Sequence, residues 1–107
     1  MGDRVSVQSE KDGERSVTLF SHWGGAAFGK EAEQYARALP VGREKPLDRR
    51  EPATVMVDFI RHLLAQDSGA ASDLYLGADP SDGDNGDNGN FVIVFEANGK
   101  TSLRRET

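Results

Sequence analysis

The chain has 107 residues, 13 Lys and Arg against 18 Asp and Glu, no cysteine and a formal net charge of −5. That length holds one small domain spanning 1–107. The missing cysteine excludes disulfides, a thiol nucleophile and cysteine zinc sites. The acidic balance excludes the charge footprint of a nucleic-acid binder, so no direct nucleic-acid partner is expected. No apolar run of signal-peptide character opens the chain, and none reaches the ~18 residues of a membrane span, so a soluble cytoplasmic protein is expected.

Arg4 to Ser9 alternates polar and apolar residues as a half-buried strand does. Asp12-Gly13 is a hairpin dipeptide, and Arg15 to Ser21 reads as the partner strand, with Val17 and Leu19 on one face and Thr18 and Phe20 on the other. The corner His22-Trp23-Gly24-Gly25 then breaks the pattern. From about Ala26 the period becomes helical, with Phe28, Ala32, Tyr35, Ala36 and Leu39 on one stripe and Pro40 as the stop.

Val41 to Glu51 mixes Arg43, Lys45, Arg49 and Arg50 with Glu44 and Asp48 and reads as a solvated loop. A second helix starts near Pro52, carries Val55, Met56, Phe59, Ile60 and Leu63 inward, and stops at Asp67-Ser68-Gly69. Leu74 to Leu76 is a short strand. Phe91 to Phe95 is a continuous apolar run suited to burial on both faces. Asn98-Gly99 turns the chain into a strand from Lys100 to Leu103, with Arg104 to Thr107 fraying. The order β-β-α-α-β-β-β predicts an α+β fold with an antiparallel or mixed sheet and both helices packed on one face.

Two segments can carry chemistry. His22, Trp23, Gly24 and Gly25 place an imidazole, the single tryptophan and two glycines where a strand turns into a helix. Free N–H groups at that helix start, with His22 beside them, suit an anion or a partner group. Gly24 and Gly29-Lys30 match most of a P-loop, but Glu31 stands where magnesium needs Ser or Thr, so the match is accidental. The second segment is the acidic loop at about 79–90, expected to be flexible and solvated. Asp82, Asp84 and Asp87 are its calcium candidates, yet Gly86 falls at the fifth ligand position and no glutamate closes the loop. No cofactor is expected. His62 lies at the edge of the second helix's stripe, two histidines do not make a metal centre, and no serine sits in a nucleophile elbow.

The opening Gly2-Asp3-Arg4 strand and the corner Ser21-His22-Trp23-Gly24-Gly25 resemble a group of small bacterial, archaeal and phage proteins of unknown activity. The resemblance covers about the first quarter of the chain, with a similar acidic turn and strand from Asp82 to Phe95. It implies a phage or mobile-element setting and draws attention to His22. It carries no catalytic residue. Taken together, these features predict a small acidic module that binds another macromolecule, a basic protein, without catalysis, and with Trp23 or Tyr75 as the anchor. The alternative is an anion or small-ligand domain centred on His22.

Overall fold

The structure is a computed structural model describing residues 4–22, 25–39, 49–65 and 74–106. Strands β1 (Val5–Lys11), β2 (Glu14–Arg15) and β3 (Thr18–Ser21) precede helices α1 (Gly25–Ala38) and α2 (Pro52–Ala65). Strands β4 (Leu74–Gly77), β5 (Asn90–Phe95) and β6 (Thr101–Glu106) follow. The six strands form one sheet in the order β4-β3-β1-β5-β6, with β2 paired to β1 beside that path. It is a mixed sheet, because β1 runs parallel to β5 from Ser6↔Asn90 to Glu10↔Val94 while its other pairings are antiparallel. The α+β class follows.

Two turns explain how the hairpins close. Asp12 and Gly13 both take positive φ, 53° and 81°, the pairing a two-residue turn needs to match strand twist. The second turn is built differently. Gly99 N–H donates to the Glu96 carbonyl at 3.0 Å, and Gly99 alone takes the left-handed conformation, at φ 93°. Ala97 and Asn98 are thus the central residues, and the glycine follows them as a bulge.

The first hairpin departs from simple alternation. Val7 pairs with Leu19 and Glu10 with Arg15, so Gln8 and Ser9 on β1 face Ser16, Val17 and Thr18 opposite. The extra residue is a β-bulge. Ser16 secures it, donating its N–H to the Ser9 carbonyl at 2.9 Å and accepting the Ser9 N–H on its hydroxyl at 3.0 Å. The bulge turns Val17 outward to 47% exposure while Leu19 stays in the core, which corrects the expectation that the two share a face.

Val5, Val7, Leu19, Ile93 and Phe95 form the sheet's share of the core. Phe28, Ala32, Tyr35 and Leu39 of the first helical segment and Val55, Met56, Phe59 and Leu63 of α2 complete it. Burying each such side chain contributes ~1.5–3 kcal/mol. α1 lies against β5 and β6, and α2 against β1. Close approach of α1 depends on Gly29, where a Cβ would stand 3.1 Å from the Phe91 ring.

Two charged segments depart from expectation. Arg50, expected in solvent, is only 8% exposed and reaches Asp58 of α2 at 3.6 Å. Arg104, Arg105 and Glu106 do not fray but continue β6, paired with Val92, Phe91 and Asn90.

Candidate functional site

The sheet has a second face, turned away from the helices, where polar side chains lie beside Phe20 and Val92. Ser6, Gln8 and Asn90 are buried there. The Ser6 hydroxyl donates to Asn90 Oδ1 at 2.8 Å, and Asn90 Nδ2 donates to Gln8 Oε1 at 3.1 Å. Arg15 extends the network to Gln8, Glu10 and Glu106. Hydrogen bonds from Arg15 lower the Glu106 carboxyl below its usual value. At Glu10 burial opposes the charge, but bonds from Arg15 and Arg104 outweigh it and the net shift is again downward. Ser6, Gln8 and Asn90 thereby each keep a partner, as the low dielectric demands.

One end of this face carries the acidic segment. Sequence reasoning suggested a solvated, self-repelling loop, yet its polar groups are bonded at short intervals. Asp82 Oδ2 accepts the Asp79 N–H at 2.8 Å around a single 3-10 turn, Pro80–Asp82. Gly83 lies so close to Phe20 and Tyr75 that a Cβ would meet both rings at 2.8 Å. Those rings are themselves stacked, 4.9 Å apart. The Asp84 N–H donates to the Tyr75 hydroxyl at 3.1 Å, and Asn85 Nδ2 donates to the Ser6 hydroxyl at 2.8 Å.

Arg4 closes the arrangement. Its backbone N–H and its Nε both donate to Asp87 Oδ2, at 3.0 and 2.9 Å, and its guanidinium also pairs with Asp84. Asn88 returns two bonds to the Arg4 carbonyl, from its backbone at 2.9 Å and from its side chain at 3.1 Å. The Asp87 carboxyl is lowered to about 2, first by the Arg4 side chain and then by its backbone N–H, with a smaller contribution from the charge of His22.

The two segments singled out in the sequence lie at the same end of the sheet. His22, half-buried, follows the Val5↔Ser21 pair on one side, and Arg4, which holds Asp87, precedes it on the other. Gly25 begins α1 with φ 46°. Trp23 and Gly24 lie outside the described residues. The calcium candidates do not converge: Asp82 turns back to Asp79, while Asp84 and Asp87 hold Arg4. Among the described residues no group of three or more His, Asp or Glu is placed to hold a metal ion. Gly29 and Lys30 fall inside α1, so the stretch that resembled a P-loop is helical where a phosphate cradle must be loop.

Comparison with family models, with curated proteins and with solved structures yields no match. The site must speak through its geometry.

Sequence reasoning missed one polar cluster altogether. Between the helices, Tyr35 donates its hydroxyl to Asp58 at 2.6 Å and His62 Nε2 lies 3.0 Å from Glu31 Oε1. Glu31 and Tyr35 on α1, and Asp58 and His62 on α2, each stand four apart, so two rungs cross one helix contact. That spacing was a readable signal, though only once the helices were known to face each other. Arg50 joins the cluster through Asp58, its Nε buried and without a hydrogen-bond partner among the described residues. Among the described residues no helix is long and apolar enough to cross a membrane.

Proposed function

We propose that this protein is a small binding module, without catalysis, that docks a basic protein at the end of the sheet formed by β4, the acidic segment and His22. The observation that carries the reading is an ordered negative surface beside exposed apolar groups. Among the described residues Asp84 and Asp87 pair with Arg4, while Asp82 turns back to the Asp79 N–H. Tyr75 stands next to them, 40% exposed, and Leu76 follows it on the other face, 59% exposed. Tyr75 thus has the exposure expected of an interface anchor. Fixed charge of one sign beside apolar contact area speeds association and selects partners of opposite charge.

The alternative, an anion site at His22, draws less support from this geometry. Asp87 occupies the same corner, and a carboxylate there repels a second anion. The resemblance to phage proteins fits the leading reading, since a nucleic-acid-handling protein supplies the basic surface required.

Capture from a lysate of the source cells tests it, with wild type compared against an Asp79→Asn, Asp82→Asn variant. Asparagine keeps an acceptor oxygen for the Asp79 N–H, so the turn persists while two charges go. A stoichiometric partner is expected, released by raised salt and held several-fold less tightly by the variant. Equal, salt-insensitive retention by both proteins would overturn the reading.

A further inference from the structure

We infer that the partner binds by strand addition: an extended segment with alternating basic and apolar residues pairs with the edge of β4 that no strand covers among the described residues. The inference rests on the binding-module reading and specifies how that module engages its partner.

The two edges of the sheet differ in the way edges are protected. β6, at one side, reads Thr-Ser-Leu-Arg-Arg-Glu, and charged side chains on an edge discourage pairing with another chain. β4, at the other, reads Leu-Tyr-Leu-Gly and pairs only with β3 among the described residues. A strand with one neighbour aims alternate N–H and C=O groups outward. β4 therefore offers an unblunted main-chain template.

Its side chains specify what would fit. Tyr75 faces the same side as Phe20, the side on which the acidic segment lies, since Gly83 packs on both rings and Asp84 bonds to the Tyr75 hydroxyl. Leu76 faces the opposite side, opposite Leu19, and is the more exposed of the two. Residues 74–89 hold four aspartates and no Lys, Arg or His. An added strand alternates its own side chains between the same two faces. Those on the Tyr75 side lie toward Asp82, packed against Gly77, and favour Lys or Arg, and those on the Leu76 side meet an aliphatic surface and favour Val, Ile or Leu. A second copy of β4 fits poorly: Leu74–Gly77 brings no cation, and Asp82 comes with it, packed against Gly77.

A blocked peptide of alternating valine and lysine, about eight residues long as ordinary strands are, serves as the probe. It is titrated into the intact, isotopically labelled protein, in parallel with the same peptide N-methylated at alternate residues. N-methylation keeps the charge and removes the main-chain donors. Saturable binding is expected, with slowed amide exchange at alternate residues of Leu74–Gly77, unchanged exchange across Thr101–Glu106, and affinity for the methylated peptide weaker by roughly tenfold or more. Equal binding of both peptides, with shifts confined to the aspartates, overturns strand addition and leaves the acidic-surface reading standing. Failure of both peptides to bind also overturns it. The lysate capture decides the broader reading separately, because it requires no pairing mode.

Discussion

Arg4 ties together positions 83 apart in sequence, and its contacts with Asp87 define how the acidic segment responds to pH. The Asp87 carboxyl falls from 3.8 to about 2 in the folded chain. Between those values the unfolded chain binds the proton and the folded one does not, so the contact stabilises the fold above about pH 4 and loses its effect as pH falls toward 2. A carboxyl-carbon NMR titration should place the Asp87 midpoint near 2. In Arg4→Met it should move back toward 3.8, the ordinary value. A wild-type midpoint already at the ordinary value would mean the clasp is not formed in solution. Gly83 makes a second argument at this scale. Its φ of −137° suits any residue, so the need for glycine is one of space alone. Gly83→Ala drives a methyl into Phe20 and Tyr75 and should destabilise by ~1–3 kcal/mol in chemical denaturation. Gly86→Ala, whose Cβ would meet only the Asp84 carboxylate at 3.3 Å, is the control and should cost clearly less.

Among the elements, the bulged hairpin and the helix pair show where pattern reading holds and where it stops. Asp12-Gly13 was legible because few dipeptides accept two positive φ angles in succession. The bulge was not legible, because an extra residue leaves the alternation of Val17, Thr18, Leu19 and Phe20 intact while shifting which of them faces inward. Substitutions should separate the two valine-like positions. Leu19→Ala is expected to cost ~2–5 kcal/mol, whereas Val17→Ser should stay within ~0.5 kcal/mol. Similar losses at both sites would argue against the register. Both helices were legible from their apolar stripes, but the rungs between them were not: Glu31 reads as polar, His62 as the edge of a stripe and Asp58 gives no signal until each finds its partner on the other helix. Tyr35→Phe should remove the bond to Asp58 at a cost of ~1–2 kcal/mol, measured as a lowered denaturation midpoint with unchanged slope.

For the whole molecule, composition and segment order sufficed for the α+β class, because helices and strands come in separate runs. Strand order was beyond them. Nothing in Val5-Ser6-Val7 indicates that this strand lies between β3 and β5, and the contacts of Arg4 with Asp84 and Asp87 exist only because it does. The His22 corner was recognisable as unusual, yet its neighbour Asp87 became visible only through the same pairing. Arg50 was misjudged for a related reason: a charged residue reads as solvated unless Asp58, eight positions on, is known to turn toward it.

The pairing of Ser6 with Asn90 also bears on how the chain is made. These residues are 84 positions apart, and β1 receives its parallel neighbour only after residues 90–94 have been synthesised. On the ribosome the first hairpin can close early, since its turn is local, but one flank of β1 must then wait while both helices emerge. During that interval the outer edge of β1 is open to any nearby strand. The nascent chain therefore passes through a stage in which its central strand is its most vulnerable one, and a chaperone that shields extended segments would act there.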